Sequence, residues 1–169
     1  SNPVMHRDPL GLVIMINGDA AYTAQVKTDL AFISIMDPNL AMLVSQLIGS
    51  SNTHIIQMPS SYDPYNSTTG CGFLSGSGCS GTTISYDPNN SLTAGFTARL
   101  PLIGLVHELF HAYSCDIGSG YALSQQTSFG VRMGDVWAAR YQNILFMILG
   151  DGIRDSYGGV YVPSPVWFP

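Results

Sequence analysis

An α+β domain is what this sequence predicts, and three observations carry the prediction. Short runs rich in β-branched and apolar residues are bounded by Gly, Asn and Pro, as strands are. Between them lie longer runs whose apolar residues recur at helical spacing. The chain has 169 residues with no repeat, heptad or charge block, which suits one ordinary domain that buries its own core.

The first strand is "GLVIMING", residues 11–18, an apolar run closed by an Asn-Gly turn. After Asp19, the residues Tyr22, Val26, Leu30 and Ile33 follow helical spacing. A second helix, "DPNLAMLVSQLIG", carries its own punctuation: Asp37 as N-cap, Pro38 at the first helical position and Gly49 past the end. "THIIQM", 53–58, is a short strand, in which His54 reads as a satisfied or exposed strand residue rather than a ligand. Residues 59–81 make a long loop rich in Ser, Gly, Thr, Asn and Pro; such loops in compact domains tend to be functional or mobile. "TTISYDP", 82–88, returns as a strand, and "NNSL" turns out of it. Pro101 opens an apolar helix, "PLIGLVHELFHAYS", and a last helix covers about 135–149 before "GDG" ends it.

Composition narrows the partners. Only 10% of residues are charged against 46% apolar, an unusually low charge for a free soluble protein. Net charge is −5, and the six Lys and Arg are scattered singly. Nucleic acid and anionic membrane are therefore not expected partners, since both need clustered cations. No apolar run approaches the roughly 18 residues of a membrane span, so no membrane insertion is expected. Nor does the start of the chain read as a signal peptide. Cys71, Cys79 and Cys115 are an odd set, and a Cys71–Cys79 loop or free thiols both fit. The seven residues between the first two exclude a C-x₂-C zinc pair.

The chemistry concentrates in "VHELFHAYSC", 106–115. Glu108 is the only glutamate in the chain, and it stands between His107 and His111. On a helix, positions i and i+4 share a face, so both imidazoles can address one ion. Glu108 then reaches the open coordination position, where it can take a proton from water acidified by the cation. H-E-x-x-H arises by chance in roughly one of two thousand shuffled chains of this composition, so the spacing is specific. A catalytic zinc site usually has three protein ligands. The third is open among Asp135, Asp116, His54, His6 and Cys115, with no glutamate left to serve. Asp116 lies one turn beyond His111 and off the His107/His111 face. Asp135 heads the next helix, where a helical hairpin can return it to the metal or where it can act as N-cap.

These residues resemble a family. "HELFHAYS", then "GDVWAARYQN", then "GIRDSYGG" are similar to the NleD-like zinc metallopeptidase effectors, within the gluzincin class. The resemblance implies a single zincin-like domain, with a small sheet and an HExxH helix packed against a C-terminal helix. It implies Asp135, ahead of Trp137-Ala138, as third zinc ligand, where the family usually has the longer glutamate. It also implies catalytic roles for Arg154 and Tyr157, an R-x-x-Y pair shared with clostridial-neurotoxin-like proteases. A guanidinium and a phenol aimed at the scissile carbonyl would stabilise the oxyanion. Without the resemblance, "RDSYGG" reads as a surface turn. The likeness of layout extends upstream from "GLVIMINGD" to "ISYDPNNSL", and so covers nearly the whole chain.

A second resemblance lies at the front. "RDPLGL", 7–12, looks like the end of an Rhs-repeat core, where self-cleavage releases a C-terminal toxin; a plain Asp-Pro turn is the alternative. It implies that residues 1–12 are a processing tail or tag remnant and that 13–169 form the metallopeptidase toxin domain. It further implies a secreted effector held in an Rhs shell, delivered into a target cell's cytoplasm, with a target-cell protein as substrate and a cognate immunity protein. The expectation is thus a zinc endopeptidase with His107, His111 and Asp135 as ligands, Glu108 as general base, and Arg154 and Tyr157 on the oxyanion. Two rivals remain. One is a non-catalytic module with a closed structural zinc, for instance with Cys115 as fourth ligand; the other is a Cys115 hydrolase lacking an assigned base.

Overall fold

Three of the four helices among the described residues begin where the sequence offers a capping carboxylate or a proline. The structure, a computed structural model, describes residues 14–60, 66–70, 81–91, 99–119, 125–150 and 152–164. Helix α1 (Ala20–Met36) is capped by Asp19, whose side chain accepts from the Tyr22 amide at 2.8 Å. Helix α2 (Pro38–Gly49) is capped by Asp37, which accepts from the Asn39 and Leu40 amides. Helix α3 (Pro101–Asp116) opens on its proline. Helix α4 (Met133–Leu149) has no side-chain cap at Arg132, and ends at Gly150 in the left-handed conformation.

Strand β1 (Ile14–Asn17) pairs in parallel with β2 (Thr53–Gln57), the two joined through α1 and α2. β2 pairs in parallel with β4 (Gly81–Ser85), and β3 (Ser67–Thr69) adds an antiparallel edge to β4, giving the order β1-β2-β4-β3. A separate hairpin, β5 (Ser156–Tyr157) and β6 (Val160–Tyr161), packs against α4. This is an α+β domain, as expected. Its core joins Tyr22, Val26 and Ile33 of α1, Leu40, Leu43 and Leu47 of α2, Ile56 and Ile84 of the sheet, and Leu105 and Leu109 of α3. Gly81, with φ of +120°, lets β4 approach β2; a Cβ there would collide with the Thr53 carbonyl.

Several expectations change in detail. The stretch 59–81 is not loop throughout, since β3 lies inside it. Three residues of Ser and Thr carry no apolar alternation, so only pairing with β4 makes them a strand. Gly49 is the last residue of α2 rather than the residue past it, and Ser50 is the C-cap. α4 starts two residues before Asp135, and Arg132 rather than Asp135 is its N-cap. The segment "RDPLGL" and the boundary after residue 12 lie outside the described residues.

Candidate metal centre

α3 is buried almost continuously from Ile103 to Phe110, with His107 at 8% and Glu108 at 5% exposure. Polar groups so placed need partners, because burial strips them of water. α4 packs along α3 and brings Asp135, in its first turn, against both histidines. His111 Nε2 lies 3.1 Å from Asp135 Oδ1, and His107 Nε2 lies 3.8 Å from the same oxygen. The two Nε2 atoms are 3.1 Å apart. Imidazole nitrogens that face each other this closely share either a proton or a cation.

The triangle fits a small cation. Donors about 2.0–2.1 Å from a common tetrahedral centre stand ~3.3 Å from one another, and these three separations bracket that value. His107, His111 and Asp135 can therefore hold a metal ion, and they are the one such group among the described residues. Burial alone would raise the Asp135 carboxyl, but hydrogen bonding and charge from the two histidines outweigh it and hold it well below the usual carboxylate range. The acid thus stays ionised, as a ligand must. Among the described residues, His107 Nδ1 is buried without a hydrogen-bond partner, where a ligand imidazole normally donates to a carbonyl or carboxylate.

Glu108 is held from the sheet. Thr68 Oγ1, on β3, lies 2.9 Å from Glu108 Oε2 and 3.0 Å from the Glu108 carbonyl oxygen. A hydroxyl has one proton, so it donates to one of these at a time. Tyr157 stacks on His107, with centroids 6.0 Å apart and planes at 26°. The Arg154 guanidinium lies over the Tyr157 ring, 5.3 Å from its centroid. Burial raises the Tyr157 phenol above its ordinary value, with the Asp135 charge adding to it. Asn143, buried on α4, fixes the Arg154 backbone from both sides: its amide donates to the Arg154 carbonyl at 2.7 Å and accepts from the Arg154 amide at 2.8 Å.

The remaining candidates are elsewhere. His54 is fully buried, with Nδ1 2.9 Å from Thr82 Oγ1. Its Nε2 lies 3.3 Å from Asp116 Oδ1, close enough for charge pairing though not aligned as a hydrogen bond. Asp116 also accepts from Ser50 and Asn52, so both residues pin the end of α3 to the β2 side of the fold. Cys115 is disulfide-bonded, which removes it as thiolate ligand or nucleophile. His6, Cys71 and Cys79 lie outside the described residues. Thr68 and Asn143 went unnoticed in the sequence, since neither belongs to a spacing pattern; only β3 pairing and the α4 packing bring them to the centre. No family model, curated protein or solved structure matches the chain.

Proposed function

We propose that this protein is a zinc-dependent endopeptidase that hydrolyses peptide bonds of a target-cell protein. The observation that carries the reading is the placement of the chain's single glutamate, buried and oriented by Thr68, beside a His107–His111–Asp135 triad of zinc dimensions. Zinc in that triad supplies Lewis acidity, which acidifies water and polarises a carbonyl. Glu108 accepts the proton of the attacking water and returns it to the leaving amine. With one carboxylate oxygen beside Thr68, the other is left to take that proton. Arg154 and Tyr157 donate to the carbonyl oxygen as it gains charge, and the raised phenol keeps its proton for that purpose. No acyl-enzyme is needed, because water is the nucleophile.

The donor set also bears on the non-catalytic reading. A closed structural zinc needs a fourth protein ligand. Cys115 is disulfide-bonded, and the described residues offer only the three. The proposal keeps the toxin context: an effector released from an Rhs shell, paired with an immunity protein and acting inside a target cell. Among the described residues, no helix is long and apolar enough to cross a membrane.

The test is Glu108→Gln. The variant should keep zinc by metal analysis while proteolysis and toxicity fall by at least about a hundredfold, the usual scale of losing a general base. Full toxicity with zinc retained would show that hydrolysis is not the activity. Mapping new N-termini in intoxicated cells would identify the substrate.

A further inference from the structure

Gly104 sits inside α3, where glycine weakens a helix relative to alanine. Its backbone is ordinary helix, so conformational freedom is not the reason for it. Space is. A Cβ at this position would lie 2.7 Å from Arg99 Nη2 and would collide with Asn66 Nδ2. Two nitrogen donors from separate segments, a guanidinium and a carboxamide, are seated on the bare helix backbone. The Asn66 orientation is fixed by its Oδ1, which accepts from the Asp87 amide. Gly104 and Glu108 are one turn apart on the same face, so these donors border the general base.

Arg99 is half-buried and is one of only six Lys and Arg in the chain. Burial presses its guanidinium below the usual arginine range; the Glu108 charge resists this, and the nearby Arg154 reinforces it. Arg99 and Arg154 are thus two like charges near Glu108, which has one carboxylate oxygen beside Thr68. When the triad holds a divalent ion, the centre carries a surplus of positive charge that Glu108 and Asp135 do not offset. A planar guanidinium with a second N–H donor beside it matches a carboxylate fork.

We propose that Arg99 and Asn66, seated over Gly104, form a carboxylate-binding subsite that holds an acidic group of the substrate beside Glu108. The subsite takes its context from the peptidase reading above, but its binding chemistry stands without turnover. The carboxylate can belong to an Asp or Glu side chain near the scissile bond or to the substrate's C-terminus.

The probes are matched pairs: acetyl-aspartate N-methylamide against acetyl-asparagine N-methylamide for a side chain, and acetyl-alanine against its N-methylamide for a C-terminus. Binding to the zinc-loaded full chain is measured by calorimetry. In at least one pair, the acid should bind roughly tenfold or more tightly than its neutral partner, as a charge-assisted contact provides. The pair that responds identifies the source. Arg99→Met and Gly104→Ala should each abolish the preference with zinc content unchanged, and Arg99→Lys should keep part of it. Gly104→Ala displaces only the ends of flexible side chains and gains helix propensity, so its melting temperature should hold or rise. Equal binding of acid and neutral probes, or a preference that survives both Arg99→Met and Gly104→Ala, overturns the subsite. Acid preference without hydrolysis of any peptide would remove the peptidase reading and leave the subsite; hydrolysis without the preference would do the reverse.

Discussion

Asp135 and Asp116 are both aspartates within reach of a histidine, yet their surroundings give them different work. Asp135 faces two imidazoles whose Nε2 atoms point at one centre. Asp116 faces one buried imidazole and spends its lone pairs on Ser50, Asn52 and Gln46. Asp135→Ala should therefore weaken zinc retention by more than the ~10–100-fold typical of losing an outer partner. Asp116→Asn should leave retention unchanged in the folded fraction. Dialysis against a graded chelator series compares them, and equal retention would remove Asp135 from the ligand set. The H-E-x-x-H residues were legible in the sequence because helical periodicity alone puts them on one face. The candidate third ligand was legible only as a set of alternatives, since 23 residues intervene between it and His111.

At the scale of elements, α4 does two jobs. Its first turn presents Asp135, and two turns later Asn143 grips the backbone at Arg154. Asn143→Ala removes both hydrogen bonds and should cost about 1–3 kcal/mol in stability, as losing buried partners does. It should also lower peptide hydrolysis through Arg154 while leaving zinc content intact. Loss of zinc alongside activity would mean that α4 as a whole had shifted, and that Asn143 has no separate role in placing Arg154. The helices were readable from caps, prolines and periodicity. β3 was not, because three polar residues become a strand only by pairing with β4, and with β3 came the Thr68 contact to Glu108.

Across the whole molecule, the His54–Asp116 contact fastens the end of α3 to the sheet and links stability to pH. Burial holds the His54 imidazole below its ordinary value, more strongly than Asp116 raises it. The unfolded chain then binds a proton that the native chain refuses, so stability falls as pH drops below about 6.5. Burial would raise the Asp116 carboxyl, but hydrogen bonds from Ser50, Asn52 and Gln46 together with the His54 charge lower it on balance. Its contribution is present above the unfolded value, about 3.9, and is lost as pH falls through the lower folded one. Thermal melts should thus decline as pH falls below about 6.5, and again below about 4. The upper limb should shrink in His54→Gln. A melting temperature flat from pH 7 to 5 would contradict the assignment.

The sequence by itself determined the α+β class, most of the helix starts and the His107–Glu108–His111 face, because caps, prolines and periodicity act through neighbours a few residues away. It also named Asp135, as one of several candidate third ligands that resemblance then singled out, and Arg154 and Tyr157 through resemblance alone. Tertiary structure decided what lies around that face: Asp135 against both histidines, Tyr157 on His107, Thr68 on Glu108, and Arg99 over the gap left by Gly104. Those contacts join segments far apart in the chain. They exist because burying α3 between the sheet and α4 forces its few polar groups to find partners wherever the packing supplies them.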